Sequence, residues 1–398
     1  MKNVYLISNV NNGGKTYLEY LLPALNALRY KYNCIVLQTN IAGISTHEAE
    51  QALSYPVKEV GLDFIATLKS QIIISNDAFV GILLDDSNFG IFISHGNVGM
   101  PVRDRYYFSE LTSYWDAIVS SSRSFFDLVK AGLQLYRHDR SALHLVPNRK
   151  TLRSDLRKTS AIRTLPIKIP EPIKFPPELL QPSKEYIVGL LPTQIGICPG
   201  GATLYENMEV VINAVKSQIP HAKFILRPYM TDFEHPYVKE MCDQLSQYQW
   251  ISIDYTKGSS KEFYPQCDTV ITDGSSGGVS FMLNTCRLPI YYVPETNESH
   301  PMVTAWLEQM DSFLPIAKDG DEIKDLLLGF ELLTPEQSYL IYKKFYDSEY
   351  SELHHPDEVF QDLVQKKHES SFCHFVIDSL GTVNECEIED QQSVLQPS

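Results

Sequence analysis

Closely spaced cysteines are missing from this 398-residue sequence. No two of its seven cysteines have the spacing of a C-x-x-C motif; they are Cys34, Cys198, Cys242, Cys267, Cys286, Cys373 and Cys386. An odd, scattered set argues against a disulfide framework and against a zinc site. We therefore expect reduced thiols and a cytoplasmic protein.

Long apolar stretches are also missing. No window holds about 18 uninterrupted apolar residues, the length that a membrane-spanning helix needs. The first apolar stretch, residues 4–10, is shorter than most signal-peptide cores and is better explained as a buried strand.

Positive charge is scarce overall, with 34 Lys and Arg against 49 Asp and Glu and a formal charge of −15. This balance argues against a nonspecific nucleic-acid binder, because such proteins contact phosphates with Lys and Arg. Residues 123–168 reverse the trend, with eleven Lys and Arg against three Asp. That basic stretch predicts attraction of an anionic substrate or of an anionic membrane leaflet, with an ordinary solvated helix face as the alternative.

Short β-branched stretches alternate with stretches of helical periodicity, which is typical of a parallel α/β fold. An apolar share of 43% excludes a disordered chain. Candidate strands in the first half are residues 4–10, 33–39, 71–75, 90–94 and 117–121. Those in the second half are residues 185–193, 222–229, 250–256, 268–273 and 288–294.

A proline-rich segment separates the halves, with six prolines between residues 166 and 182. Proline blocks both helix continuation and central strand pairing, so we predict an extended linker. The predicted division is a Rossmann-like acceptor-side domain, a linker, a Rossmann-like nucleotide-donor domain and an acidic tail, over residues 1–165, 166–184, 185–365 and 366–398. Two doubly wound domains predict a ligand cleft between facing carboxyl ends of two parallel sheets.

The first candidate for chemistry is His95, which with Gly96 ends a predicted strand. This position puts an imidazole at the rim of the crevice, with no neighbouring side chain to obstruct a substrate. Histidine can take a proton at neutral pH, so His95 is a candidate general base. A histidine that merely hydrogen-bonds its own loop is the alternative.

The second candidate is the turn after the predicted strand 268–273. It contains Thr272, Asp273, Gly274, Ser275, Ser276 and Gly277. A helix N-terminus beside uncovered N–H groups and hydroxyls suits a diphosphate. A carboxylate facing that anion would repel it, so we expect Asp273 to cap backbone amides or to bind elsewhere. A glycine- and serine-rich turn without a ligand is the alternative.

Weaker candidates lie at three other strand ends. Gly13, Gly14 and Lys15 follow the first strand in a turn similar to a Walker A loop. That loop requires a glycine where Asn9 stands, so we exclude ATP hydrolysis and predict either close approach of a substrate or a simple tight turn. The guanidinium of Arg227 offers a fork of donors for phosphate oxygens. The remaining candidates are Tyr229 and His235, near Arg227, and Pro192 and Thr193, at the end of strand 185–193.

Taken in order, these segments resemble the CDP-glycerol glycerophosphotransferase family, the teichoic-acid primases and polymerases of the GT-B fold. The resemblance covers roughly residues 85 to 295 and lies in Ser94-His95-Gly96-Asn97, Pro192-Thr193-Gln194, Arg227-Pro228-Tyr229, Val270-Ile271-Thr272-Asp273-Gly274-Ser275-Ser276 and Leu288-Pro289-Ile290-Tyr291-Tyr292. The turn at residues 12–16 looks more like retaining GT-B glycosyltransferases.

The resemblance implies a GT-B fold, two Rossmann-like doubly wound domains facing across a cleft. It implies that His95 activates an acceptor hydroxyl, with Gly96 and Asn97 beside it as substrate-binding residues. It also implies that loop 272–277 holds the diphosphate of a cytidine-linked donor. The family's second histidine falls on Tyr229 here, so either His235 replaces it or the donor is not CDP-glycerol.

The implied function is transfer of a glycerol- or other alditol-phosphate unit from a CDP-linked donor to a hydroxyl of a surface glycopolymer or lipid-linked acceptor. No resident cofactor or metal is implied, and peripheral contact with the inner membrane face is an added expectation. The runner-up is a GT-B glycosyltransferase that uses a UDP- or CMP-sugar in capsule or lipopolysaccharide synthesis. A nonhydrolysing sugar-nucleotide epimerase and a catalytically silent binding module are the further alternatives.

Overall fold

The computed structural model describes residues 3–10, 14–85, 87–93, 111–119, 122, 124, 160–162, 185–195, 204–256, 260–294, 313–350, 356–366, 374–377 and 383–386. The chain forms two compact units. Unit 1 comprises residues 1–99, 105–168 and 352–398, and unit 2 comprises residues 100–104 and 169–351.

Unit 1 contains a nine-stranded sheet. Its strands are β1 (Asn3–Ser8), β2 (Asn33–Thr39), β3 (Val57–Val60), β4 (Ile72–Ser75), β5 (Phe89–Phe92), β6 (Ala117–Val119), β7 (Ser160–Ile162), β14 (His374–Ile377) and β15 (Val383–Cys386), numbered along the whole chain. The spatial order is β15-β14-β7-β6-β5-β4-β1-β2-β3. Strands β1 to β7 pair in parallel, whereas β14 is antiparallel to both β7 and β15.

Helices cover the sheet of unit 1. They are α1 (Gly14–Leu18), α2 (Leu22–Leu28), α3 (Thr46–Leu53), α4 (Leu62–Thr67), α5 (Val80–Leu83) and α12 (Pro356–Lys366). Side chains alternate along the central strands, so Leu6 and Ile74 face α2 within one core cluster while Ile7 and Ile73 are buried outside that cluster. Continuous apolar strands of this kind are typical of a parallel sheet covered on both faces.

The structure corrects the predicted division at the C-terminal end, because the prediction places residues 352–365 in the second domain and the structure places them in unit 1. Helix α12 belongs to unit 1 because Phe360 and Leu363 are buried in the same core as α2. The Gln361 side chain also donates to the carbonyl of Ala27 at 3.2 Å. Within the predicted acidic tail, β14 and β15 form a hairpin at the sheet edge. The predicted linker over 166–184 lies outside the described residues.

Unit 2 contains a six-stranded parallel sheet. Its strands are β8 (Ile187–Leu191), β9 (Lys223–Leu226), β10 (Ile251–Ile253), β11 (Thr269–Thr272), β12 (Ile290–Tyr292) and β13 (Ile316–Ala317). The spatial order is β10-β9-β8-β11-β12-β13, so the chain winds one way from β8 to β10 and the other way from β11 to β13. The direction reverses between β8 and β11, and open α/β sheets bind ligands outside the carboxyl ends at such a position.

The helices of unit 2 are α6 (Met208–Gln218), α7 (Pro236–Leu245), α8 (Ser260–Phe263), α9 (Gly277–Thr285), α10 (Gly320–Leu332) and α11 (Pro335–Tyr350). One core cluster includes Val211, Phe224 and Ile271, and another includes Phe263 and Phe281. Both faces of this sheet are therefore covered, as the sequence predicts for a doubly wound domain.

All ten predicted strands are present, with bounds that differ by one to three residues at most ends. The pattern misses β3, β7, β13, β14 and β15. Strand β3 lies at the sheet edge with Lys58 and Glu59 exposed, so it lacks the apolar run of a central strand. Strand β13 has two residues. Within the described ranges, no helix is long and apolar enough to cross a membrane.

Candidate functional site

The carboxyl ends of β8 and β11 are joined by buried polar contacts in unit 2. The Thr272 hydroxyl, fully buried, donates to the carbonyl of Leu191 at 2.7 Å. The Thr272 hydroxyl oxygen also lies 3.3 Å from the Ser275 hydroxyl oxygen. Ser275 in turn accepts the N–H of Gly277 at 2.9 Å. These bonds fold the turn back over the end of β11, so the hydroxyls of Thr272 and Ser275 serve the turn itself.

The Asp273 carboxylate lies beneath this turn and is buried. Its Oδ1 accepts the N–H of Thr193 and its Oδ2 accepts the N–H of Leu204, both at 2.8 Å. The expectation that Asp273 caps backbone amides is therefore confirmed. Burial raises the pKa of Asp273 to about 6, and the two backbone donors oppose that rise.

The amino end of α9 follows the turn at the point where the winding direction reverses. Two of its first four N–H groups have side-chain acceptors: Gly277 donates to Ser275, and Val279 donates to the Tyr291 hydroxyl at 3.0 Å. Ser280 donates to the carbonyl of Ser276. Among the residues that the structure describes, the N–H groups of Gly274, Ser276 and Gly278 have no acceptor.

Tyr291 is a residue of this site that the sequence reasoning did not assign. Its hydroxyl accepts from Val279 and donates to the carbonyl of Ser275 at 3.1 Å, and burial raises the pKa of this hydroxyl. A Cβ atom at Gly278 would lie 2.8 Å from the Tyr291 ring. Glycine is thus required there because the phenol packs against the helix backbone. The feature of the sequence that could have identified Tyr291 as a residue of this site is its position in the strand after the turn.

Asp232 and Tyr205 form a second buried centre near β9, and neither was predicted. Asp232 accepts the N–H of Ile195 at 2.9 Å, and burial raises the pKa of its carboxyl. The Tyr205 hydroxyl accepts the N–H of Tyr229 at 2.9 Å. Asp273 therefore holds the backbone at Thr193, and Asp232 holds it at Ile195. Both residues lie in the segment that follows β8.

Arg227 lies at the end of β9 and contacts other residues of the same unit. Its side chain is 10% exposed, with Nη1 3.7 Å from a carboxylate oxygen of Asp254 and the guanidinium 5.4 Å from the Phe263 ring centre. Tyr229 is half-buried, and His235 is exposed at the residue before α7. Pro192 and Thr193 are buried directly after β8.

The remaining predicted residues lie in or near unit 1. Gly14 has a left-handed φ of 60° and donates its N–H to the carbonyl of Ala42, so glycine suits this turn. Lys15 follows at the start of α1 and is half-buried. Gly13, His95, Gly96 and Asn97 lie outside the described residues. Within the described part of the chain, no cluster of three His, Cys, Asp or Glu could hold a metal ion.

Solved structures match the fold of this protein over nearly the whole chain. Anabaena Alr3699/HepE, in complex with UDP and glucose, is 11% identical, with 93% of this chain and 100% of that chain covered and a TM-score of 0.56. The wall teichoic acid polymerase TagF, soaked with CDPG, is 14% identical, with 93% and 90% covered and a TM-score of 0.53. A putative UDP-N-acetylglucosamine 2-epimerase from Listeria monocytogenes is 11% identical, with 93% and 97% covered and a TM-score of 0.59.

The fold is GT-B. The predicted fold class, two Rossmann-like doubly wound units, is confirmed. No protein-family model matches the chain, and no curated protein matches it in sequence. At identities of this size the likeness establishes the fold and leaves the substrate to be argued from the residues.

Proposed function

We propose that the protein is a transferase that binds a nucleotide diphosphate-linked donor at the carboxyl edge of the sheet in unit 2. The observation that carries this proposal is the amino end of α9, at the strand reversal between β8 and β11. The N–H groups of Gly274, Ser276 and Gly278 supply donors there. Helix N-termini attract anions through such donors and a partial positive charge.

Asp273 supports the choice of an anionic ligand. Both of its oxygens accept hydrogen bonds from backbone N–H groups beneath the turn, those of Thr193 and Leu204. We assign it a positioning role. Ser275 and Thr272 shape the turn, and the Ser276 hydroxyl is the one that we assign to the diphosphate, together with the three N–H groups.

The transfer that we favour resembles that of the CDP-glycerol glycerophosphotransferases. His95 takes the proton of an acceptor hydroxyl, the acceptor oxygen bonds to the phosphorus of the alditol phosphate, and the bond to the CMP oxygen breaks. Arg227, Tyr229 and His235 are proposed to stabilise the charge that collects on the leaving phosphate. Support comes from the TagF structure with CDPG and from the sequence motifs.

A sugar donor is the second candidate, favoured by the departure from the family motif at Tyr229 and by the HepE structure in complex with UDP and glucose. In that reaction, the acceptor oxygen attacks the sugar carbon and a nucleoside diphosphate leaves. Gly13, Gly14, Lys15, Gly96, Asn97, Pro192 and Thr193 remain proposed substrate-binding residues for either donor.

Nucleotide release tests the proposal. The full chain is incubated with CDP-glycerol, CDP-ribitol and a panel of UDP- and CMP-sugars, and free nucleotide is measured. CMP release from a CDP-alditol that is lost in His95→Ala supports the first reaction, and UDP release from a sugar supports the second. Conversion of UDP-N-acetylglucosamine to its epimer would contradict both.

Variants of the turn separate binding from folding. Ser276→Ala and Gly278→Ala are expected to weaken the rise in melting temperature that a bound nucleotide causes. Ser45→Ala is the matched control, since Ser45 caps α3 in unit 1. Absence of any nucleotide-induced rise in the unmodified protein would reject the donor site and favour a silent module.

Membrane contact is a separate proposal that rests on the charge of residues 123–168. Flotation with liposomes that contain anionic lipid, at low and high salt, tests it. Binding that disappears at high salt supports electrostatic attachment, and failure to float at low salt rejects it.

A further inference from the structure

The carboxyl end of β1 lies at the strand reversal of unit 1. Strand β1 pairs with β2 on one side and with β4 on the other, and the chain winds outward from it in both directions. Ligands of open α/β sheets bind outside the carboxyl ends at this kind of position. The side chains at this edge therefore decide what chemistry unit 1 can recognise.

Three polar side chains meet at this edge: Asn9 after β1, Thr39 at the end of β2 and Asp77 after β4. The parallel registers, continued by one or two residues, place Asn9 beside both Thr39 and Asp77 on one face of the sheet. A hydrogen bond of 2.9 Å from Asn9 Nδ2 to Asp77 Oδ2 joins the two loops. Asn9 and Asp77 are each 7% exposed, so the pair just reaches the surface.

Two oxygens of this group are left without protein partners. Across the described ranges, neither Asn9 Oδ1 nor Thr39 Oγ1 has a hydrogen-bond partner, and both atoms are buried. A buried polar atom without a partner costs about 1 to 3 kcal/mol, so native proteins rarely keep one without a function or a bound molecule. Two such atoms on neighbouring strands indicate a site that another group completes.

The bonding of the Asn9 amide defines what that group must be. Its NH2 donates to Asp77, so the free atom is the oxygen, which can accept only. Asp77 also accepts the N–H of Phe79 at 3.1 Å, and its negative charge would repel a phosphate. A neutral hydroxyl fits, because it can donate to Asn9 Oδ1 and share a hydrogen bond with the Thr39 hydroxyl.

We propose that this edge of unit 1 binds a hydroxyl group of a polyol, such as a sugar or an alditol, through Asn9 and Thr39. Asp77 positions the Asn9 amide and excludes anions. The inference rests on the proposed function in that the polyol would be the acceptor of the transfer. The two sites then differ in the charge of what they bind: unit 2 binds the anionic donor, and unit 1 binds neutral hydroxyl groups.

Ligand-observed NMR titration of the full chain without nucleotide tests the site. The probes are glycerol, ribitol and glucose, with inorganic phosphate as the competing anion. We expect saturable binding of at least one polyol that phosphate does not displace. Thr39→Val and Asn9→Ala should each weaken it about two- to ten-fold, the loss of one neutral hydrogen bond. Asn33→Ala should leave it unchanged, since Asn33 is exposed at the opposite end of β2.

Thermal unfolding distinguishes a loss of polyol binding from a loss of folding in the Thr39→Val variant. Thr39→Val removes an unpaired buried hydroxyl and keeps the side-chain shape, so we expect a melting temperature no lower than that of the unmodified protein. Equal polyol affinity in all four proteins, absence of saturable binding, or displacement by phosphate would overturn the site. Unchanged binding with a less stable Thr39→Val would assign the hydroxyl to an ordered water instead. Because no nucleotide is present, failure of the donor site would not affect these outcomes.

Discussion

Asp273 Oδ1 accepts the backbone N–H of Thr193 at 2.8 Å, which joins the end of β11 to the end of β8. The other oxygen of the same carboxylate holds Leu204. One buried side chain therefore sets the positions of two loop segments beside the amino end of α9. Stability and nucleotide binding should therefore both depend on this carboxylate.

Replacing Asp273 by Asn should destabilise the protein by about 1 to 3 kcal/mol, because the amide NH2 would face a backbone N–H and leave that buried donor unpaired. Chemical denaturation measures the change. Nucleotide-induced stabilisation should fall as well, since the turn loses its anchor. Asp243→Asn, at an exposed position of α7, is the control and should stay within about 0.5 kcal/mol. Equal stability of the two variants would remove the positioning role.

The pKa of Asp273 also predicts a pH dependence. Burial raises the folded-state pKa from 3.8 to about 6, so between these values the folded protein binds more protons than the unfolded chain. The contribution of this group to stability therefore increases as the pH falls from about 7 to 4, by at most about 1.4 kcal/mol per pH unit. Denaturation at several pH values should show this slope in the unmodified protein relative to Asp273→Asn. Parallel curves for the two proteins would contradict it.

Tyr291→Phe should cost about 1 to 2 kcal/mol of stability, because the N–H of Val279 and the carbonyl of Ser275 lose their shared buried partner. The same change should weaken nucleotide binding, since the turn and α9 are held together by this hydroxyl. Tyr292→Phe, the neighbouring residue on β12, is the matched control and should retain binding. If both variants bind nucleotide equally, the Tyr291 hydroxyl has no part in shaping the site.

Gly278→Ala should destabilise the protein by about 1 to 3 kcal/mol, because the new Cβ would overlap the Tyr291 ring. Gly329→Ala gives the opposite expectation. Gly329 lies inside α10 with no atom within 4 Å of the new Cβ, so alanine should stabilise by about 0.5 to 1 kcal/mol. Thermal unfolding of both variants measures the pair. A Gly278→Ala protein as stable as Gly329→Ala would contradict the close packing of Tyr291.

Local pattern was sufficient for ten of the fifteen strands in the described ranges and for the turn after β11. β2 is matched at both ends because its apolar run is bounded by polar residues. β11 is matched to within one residue at each end because it combines β-branched residues with a glycine- and serine-rich turn. The capping role of Asp273 also followed from the sequence, since a carboxylate beside exposed amides is better used as an acceptor. These features depend on neighbours within a few residues.

Only the tertiary structure decided which distant residues Asp273 and Tyr291 serve, and that α12 returns to unit 1. Thr193 and Leu204 are 80 and 69 residues away from Asp273 along the chain. Asn9 and Asp77 are 68 residues apart. The order in which strands pair determines such contacts, and periodicity along one strand carries no information about its neighbour. The sequence alone therefore determined the kind of fold and the local chemistry of each turn, and strand order in space determined which turns share a site.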